Sequence, residues 1–125
     1  MVILDTNIII DHLRQPPSRS KLVAFSKSHP RQSLAISLIS IQELYQGKST
    51  LEESQENILL ATVSSLKILP YTYEVSELAG KLHRDSKTPI EFADAAIAAT
   101  AILNDAKLVT LNKKHFNNIP ELKLI

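Results

Sequence analysis

The sequence predicts an α/β fold, a three-layer α/β/α sandwich with a mainly parallel sheet of four to five strands. Short apolar runs that fit strands alternate along the chain with longer segments of helical periodicity. Strands separated by helices favour parallel pairing, because parallel neighbours need a crossover connection. The length of 125 residues matches the commonest size of one domain, so we expect residues 1–125 to form a single domain.

The predicted strands are short runs bounded by turn residues or helix caps. Most of them are rich in valine, isoleucine and leucine, which suits strands that are buried on both faces. In chain order they cover Val2–Leu4, Leu34–Ser37, Lys67–Leu69, Lys107–Thr110 and a weaker fifth, Leu122–Ile125.

Capping residues and prolines delimit the predicted helices. A turn at Pro16 and Pro17 precedes the second helix, Pro30 closes it, and Thr72 is a suitable N-cap for the fifth. In chain order the helices cover approximately Thr6–Leu13, Ser18–Ser28, Ser40–Gln46, Leu51–Leu66, Thr72–Ser86 and Thr88–Asn104.

Composition excludes several classes of function. The absence of cysteine removes disulfides, cysteine-based zinc sites and thiol nucleophiles. Gly47 and Gly80 are the only glycines, so neither of the two glycine-rich nucleotide-binding motifs can be formed. The N-terminus lacks the positive region of a signal peptide, and the longest uncharged apolar stretch, Ala95–Leu103, is too short to span a bilayer. We therefore expect a cytoplasmic protein with no membrane contact.

The charge balance limits how the chain could bind nucleic acid. Its formal net charge is +1, with 14 basic and 13 acidic residues, so any contact with RNA or DNA must be local. Arg14–Lys27, His83–Lys87 and Lys113–His115 are the candidate segments, although charge runs are usually solvated surface.

Three carboxylates that are distant in sequence are the strongest indication of function. Asp5 ends the first strand, Glu43 lies on a short helix, and Asp94 lies in an alanine-rich helix that is otherwise free of charge. The carboxyl edge of a parallel sheet is where ligands gather, and all three can reach that edge. If they converge, their repulsion raises their pKa values or requires a cation between them. Ligands that are all oxygen atoms point to Mg²⁺ or Mn²⁺.

Two of these carboxylates also have a structural interpretation. Asp5 can cap the helix that follows the first strand. Ser40 and Glu43 have the spacing of a capping box, in which Glu43 would bond back to the Ser40 amide. Taken alone, Glu43 is better explained by that box.

Asp94 is the carboxylate for which function is favoured over structure. Thr88 and Glu91 complete a second capping box without it, although Glu91 lies one turn away and is a reserve ligand. The helix from Ala93 to Leu103 is apolar nearly all round and should be buried. A buried carboxylate is costly unless it is paired or bound to a metal.

Other polar and aromatic residues have plain alternatives to a functional role. Thr110 and Asn112 end a strand, where turn formation explains both. The histidines show no pair at metal-ligand spacing and are expected at the surface or in loops. Tyr45 and Phe116 are expected to pack in the protein instead of stacking on bases.

Four segments of the chain together resemble the PIN-domain ribonucleases and, within them, the VapC-like toxins of type II toxin–antitoxin modules. In order, these segments are Ile3–Asn7, Ser37–Leu44 with Gly47, Pro89–Ala101 with its central Asp94, and Leu108–Phe116. The resemblance covers essentially the whole chain.

The resemblance implies a metal-dependent endoribonuclease whose three acids correspond to Asp5, Glu43 and Asp94. Many members carry a fourth acid near the closing motif, where this chain has the uncharged Asn112. The implied cofactor is Mg²⁺ or Mn²⁺, and hydrolysis by water would leave 5′-phosphate and 3′-hydroxyl ends. The implied partners are an RNA substrate (tRNA, rRNA or mRNA), a small antitoxin protein and a second copy of the chain in a homodimer.

Five further residues would support that chemistry. Asn7 could hold Asp5 in place, and Thr110 and Asn112 could orient water or phosphate. Lys113 and Lys114 would position the RNA backbone.

Three rival hypotheses compete with the nuclease. A haloacid-dehalogenase-like phosphatase needs a second acid two residues after the first, where this chain has Asn7. A phospho-acceptor receiver domain needs an aspartate after the third strand, and Lys67–Tyr71 supplies none. The third rival is a PIN-fold interaction module that has lost its activity, which metal binding and nuclease assays would distinguish.

Overall fold

The computed structural model describes all 125 residues and contains one sheet of five parallel strands. The strands lie in the spatial order β3-β2-β1-β4-β5, with Ile3 of the central strand beside Ala35 and Leu108. In chain order the strands are β1 (Val2–Leu4), β2 (Leu34–Ser37), β3 (Lys67–Leu69), β4 (Lys107–Val109) and β5 (Lys123–Leu124). All five predicted strands are therefore confirmed.

Six α-helices connect the strands. They are α1 (Thr6–Arg14), α2 (Lys21–Ser28), α3 (Leu38–Gln46), α4 (Glu53–Ser64), α5 (Tyr73–Asp85) and α6 (Phe92–Leu103). Three short 3-10 segments accompany them, at Pro17–Arg19, Lys48–Leu51 and Lys113–His115. No helix combines the length and the hydropathy that a membrane span requires.

The core is divided by the sheet into two apolar layers. Ile3 packs on one side with the buried faces of α5 and α6, whereas Val2 and Leu4 pack on the other side with α1, α2, α3 and α4. This alternation follows from the two-residue period of a strand. Helices thus cover both faces, and the predicted three-layer α/β/α class is confirmed.

The predicted start of α3 is wrong. Ser37, not Ser40, is the N-cap, and its hydroxyl oxygen accepts a hydrogen bond from the Ile39 amide at 3.3 Å. The chain passes from β2 into the helix without a loop, so Ser40 lies inside the first turn and is fully buried. The capping box of Ser40 and Glu43 therefore does not form.

The predicted start of α6 is also wrong. The helix begins at Phe92, with Glu91 at the N-cap position and no side-chain capping bond. Residues 86–91 stay irregular, because Ile90 turns its side chain into the core and its carbonyl oxygen accepts a hydrogen bond from His83 Nδ1 at 2.9 Å. Asp94 consequently lies in the first helical turn.

Other boundaries shift for local reasons. The second helix begins at Lys21, because Ser20 caps it by accepting a hydrogen bond from Val23 N. Phe116 packs in the core as expected, but Tyr45 is 45% exposed and is not a core residue.

Two adjacent leucines of α4 provide a matched test of the packing. Leu59 is 1% exposed and belongs to the core, whereas Leu60 is 53% exposed. We expect Leu59→Ala to lower the free energy of unfolding by about 2–4 kcal/mol, because truncation leaves a cavity. Leu60→Ala should cost less than about 1 kcal/mol. Urea denaturation measures both, and equal losses would contradict the placement of this helix.

Candidate functional site

The candidate site lies at the carboxyl edge of the sheet. Asp5 directly follows β1, Thr110 directly follows β4, Glu43 lies on α3, and Asp94 lies in the first turn of α6. In open parallel sheets this edge is the usual place for ligands.

Asp5 is held by two hydrogen bonds in a buried position. The residue is only 5% exposed. Its Oδ1 accepts a hydrogen bond from the Thr6 amide at 2.7 Å, and its Oδ2 accepts one from Thr110 Oγ1 at 2.7 Å. Asp5 therefore is the N-cap of α1, as its structural interpretation predicted. Burial raises the pKa of Asp5, and the two hydrogen bonds oppose that rise. Capping uses one oxygen and does not remove the carboxylate from the site.

The Thr110 hydroxyl connects Asp5 to the segment that follows β4. It donates its one proton to Asp5 and accepts from Asn112 N at 2.9 Å and from Asn7 Nδ2 at 3.5 Å. A hydroxyl has one donor and two acceptor positions, so all of them are used. Asn7 Oδ1 in turn accepts from Leu111 N at 3.3 Å. Asn7 thus reaches Asp5 only through Thr110.

Glu43 is oriented by α1, not by its own helix. Thr6 Oγ1 donates a hydrogen bond to Glu43 Oε1 at 2.6 Å and lies 2.8 Å from Ser40 Oγ. Because Thr6 has a single hydroxyl proton, Ser40 must supply the proton of the second contact. Burial raises the pKa of Glu43, the Thr6 hydrogen bond opposes the rise, and the charges of Asp5 and Glu91 add to it.

Asp94 is the most perturbed acid of the site. Its side chain is 13% exposed, and Oδ2 lies 3.2 Å from His115 Nδ1. Burial is the largest cause that raises the pKa of Asp94 to about 6. Repulsion by Asp5 is next, His115 opposes the rise, and Glu91 and Glu43 add to it. Because the charges of Asp5 and Glu43 reach Asp94, the fold brings all three predicted acids into one electrostatic neighbourhood.

The other predicted residues lie at the rim of this neighbourhood. Glu91 is exposed at the N-cap position of α6, and Lys113 and Lys114 are exposed on a 3-10 segment. Asn112 is exposed and bonds to Thr110 only through its backbone amide.

The carboxylates fit a divalent metal in donor type and charge. No three acidic or histidine side chains lie in a ready-made coordination cluster. Each central acid instead contacts a protein group: Asp5 contacts Thr110, Glu43 contacts Thr6, and Asp94 contacts His115. The set is nevertheless all carboxylate oxygen, which suits Mg²⁺ or Mn²⁺. A cation would also relieve the repulsion that raises the pKa values.

Sequence reasoning missed three residues of the site. Thr6 orients Glu43, Ser40 contacts the Thr6 hydroxyl, and His115 contacts Asp94. Thr6 stands beside Asp5 in the first motif, and that adjacency was the available signal. Nothing in the local sequence of His115 indicates its contact, since Asp94 lies on a different element.

Comparisons of the sequence with known families and known proteins agree on one family. The PIN domain family matches residues 2–122. Ribonuclease VapC10 of Mycobacterium tuberculosis is 37% identical over 127 aligned residues, which cover 98% of this chain and 91% of that protein.

Two solved structures have the same fold. One is VapBC2 from Rickettsia felis, bound to a DNA fragment from its promoter. It has a TM-score of 0.82 at 28% identity, covering 100% of this chain and 98% of that chain. The other is a toxin–antitoxin complex from Klebsiella pneumoniae. It has a TM-score of 0.77 at 27% identity, covering 100% of this chain and 96% of that chain.

The raised pKa of Asp94 predicts a stability effect with a definite sign. The folded protein binds more protons than the unfolded chain between the ordinary pKa of 3.8 and the raised value of about 6, so the free energy of unfolding falls as pH rises through this window. In EDTA, Asp94→Asn should therefore be more stable than the wild type at pH 8, by about 1–2 kcal/mol. The difference should vanish below about pH 3, where Asp94 is largely protonated in both states. Urea denaturation at several pH values measures it, and a variant that is less stable at pH 8 would contradict the placement of Asp94.

The Thr110 hydroxyl predicts a second effect on stability. Thr110→Val keeps the shape of the side chain but leaves the buried Asp5 oxygen without its donor, so we expect a loss of about 1–3 kcal/mol. Thr110→Ser keeps the hydroxyl and is the matched control, with an expected loss below about 1 kcal/mol. Thermal or urea unfolding at pH 7 compares the two. Equal losses would show that the methyl group, and not the hydrogen bond, matters.

Proposed function

The chain belongs to the PIN-domain family, and from that membership we propose that it is a metal-dependent endoribonuclease that acts as the toxin of a toxin–antitoxin module. Residues 1–125 would act as one PIN-like domain. The name of the relative VapC10, a ribonuclease, supports the activity, and the two toxin–antitoxin structures support the setting.

The observation that best supports this proposal is the grouping of three acids from distant parts of the chain. Asp5 directly follows β1, Glu43 lies on α3 and Asp94 on α6. Burial raises the pKa values of all three, and repulsion by neighbouring acids adds to the rise for Glu43 and Asp94. A fold would gain stability by replacing such groups, so their presence points to a ligand that needs them.

The proposed metal site consists of these three carboxylates, with Glu91 in reserve, and takes Mg²⁺ or Mn²⁺. When bound, such an ion lowers the pKa of a water molecule and stabilises charge that develops on a phosphate. Asp5 is fixed for this role by Thr110 and Thr6, and Glu43 by Thr6. Hydrolysis by water would leave 5′-phosphate and 3′-hydroxyl ends, since the ribose 2′-hydroxyl takes no part.

The supporting residues differ in whether their side chains still have a free hydrogen-bonding group. The Thr110 hydroxyl is fully used, so its role is to hold Asp5. The exposed Asn112 side chain is free to donate a hydrogen bond to phosphate or water. Lys113 and Lys114 follow it on the same rim and would position the RNA backbone without reading its sequence.

The proposed partners follow from the relatives. We expect an RNA substrate (tRNA, rRNA or mRNA), a small antitoxin protein and a homodimer, and we expect the protein to act in the cytoplasm. The competing hypothesis is an inactive PIN-fold interaction module, which is favoured by Asn112 at the place where many members carry an acid.

A cleavage assay tests the activity. Purified protein is incubated with total tRNA and other structured RNA under Mg²⁺, Mn²⁺ or EDTA, and the cut ends are mapped. We expect metal-dependent cleavage with 5′-phosphate ends. Asp94→Asn should lower the rate by about 100-fold or more, since even changes to groups that only support metal ligands cost 10–100-fold.

The control for this assay is Asp105→Asn. Asp105 is an exposed aspartate at a backbone φ of 48°, a conformation that asparagine tolerates. The Asp105→Asn variant should cleave RNA at the wild-type rate. A folded wild-type protein that neither cuts RNA nor binds Mn²⁺ would overturn the proposal in favour of the interaction module.

A further inference from the structure

We propose that His115 is a positioning residue that holds the Asp94 carboxylate through its Nδ1 atom. This inference rests on the proposed function, because it concerns the same group of acids. His115 Nδ1 lies 3.2 Å from Asp94 Oδ2, and His115 is the one side chain that makes a polar contact with this acid. The contact engages one carboxylate oxygen and leaves the other available to a ligand.

The contact differs from an ordinary surface ion pair in how its two ends are fixed. Exposed pairs contribute little, because two long side chains must be held in place. Here the Asp94 side chain is 13% exposed and is attached to the first turn of a buried helix. The imidazole is half-exposed, but it has only two rotatable bonds, and its backbone lies on an anchored segment.

Both ends of that segment are buried. On one side, Thr110 bonds to Asp5, and the Asn112 amide bonds back to Thr110. On the other side, Phe116 is 1% exposed and packs in the core layer between the sheet and α6. The His115 amide also donates to Asn112 O at 3.0 Å. The backbone of His115 is thus held between two buried neighbours.

One segment of the chain therefore contacts two acids that come from different elements. Thr110 contacts Asp5 after β1, and His115 contacts Asp94 on α6. Residues 110–116 set the positions of these two carboxylates relative to each other. Groups that orient metal ligands in this way tune metal affinity without binding the metal.

The test compares three substitutions at His115 in the full chain. Mn²⁺ affinity is measured by calorimetry, kcat and KM by RNA cleavage, and folding by urea denaturation. His115→Ala should weaken Mn²⁺ binding and lower kcat by about 10-fold each. KM for RNA and the unfolding midpoint should stay close to the wild-type values, because the ring is half-exposed.

Two conservative variants identify the atom that acts. The side-chain nitrogen of asparagine occupies nearly the place of Nδ1, and that of glutamine nearly the place of Nε2. His115→Asn should therefore recover most of the affinity and rate, whereas His115→Gln should resemble His115→Ala. Asn117→Ala, at an exposed position of the same loop, is the control and should match the wild type.

Four outcomes would overturn the inference. Wild-type affinity and kcat in His115→Ala would make the contact an inert surface pair. A raised KM alone would make His115 an RNA contact, and recovery by glutamine but not asparagine would assign the role to Nε2. Loss of Mn²⁺ binding with unchanged Mg²⁺ binding would make the imidazole a ligand, since nitrogen ligands favour Mn²⁺ over Mg²⁺.

Asp94→Asn in the same calorimetry separates this inference from the function on which it rests. If that variant binds Mn²⁺ like the wild type, the site of three acids fails and the proposed function fails with it. If it loses binding while His115→Ala does not, only the role of His115 is wrong.

Discussion

The parallel pairing of β1 with β4 places Asp5 beside Thr110, and the rest of the site is built around that pair. Leu4 lies opposite Val109, and the Asp5 amide donates to Val109 O at 2.9 Å. A shift of one residue in this register would turn Thr110 to the other face of the sheet. The buried carboxylate of Asp5 would then lose the hydroxyl that satisfies it. The register thus serves both the core and the acid.

Small side chains on α6 bring the third acid to this pair. Alanines at positions 95, 96, 98 and 99 are almost completely buried, so the helix packs closely against the sheet and its neighbours. Its first turn then lies near the carboxyl edge, where Asp94 experiences the charges of Asp5 and Glu43. Close packing and charge repulsion oppose each other here, because the apolar contacts of α6 hold Asp94 at a position where the other two acids repel it. This is the pattern of a site that is maintained at the expense of stability.

Each acid is held by a group from another part of the chain. Thr110 of the β4 end holds Asp5, Thr6 of α1 holds Glu43, and His115 contacts Asp94. The carboxylates therefore cannot move independently, since every orienting group is itself fixed by a strand end, a helix start or a buried neighbour. Their arrangement is a property of the whole carboxyl edge and not of any single motif.

The sequence by itself determined the strands, the α/β class, and the capping of α1 by Asp5 and of α5 by Thr72, and it was enough to propose the three acids. These depend on hydrophobic period and on caps, which act within a few residues. Only the tertiary structure decided where α3 and α6 begin and which groups orient Glu43 and Asp94. Ser40 has a suitable spacing to cap a helix, but it packs against Thr6. Thr6 and His115 meet their acids across elements that are distant in sequence, and no local pattern records such contacts.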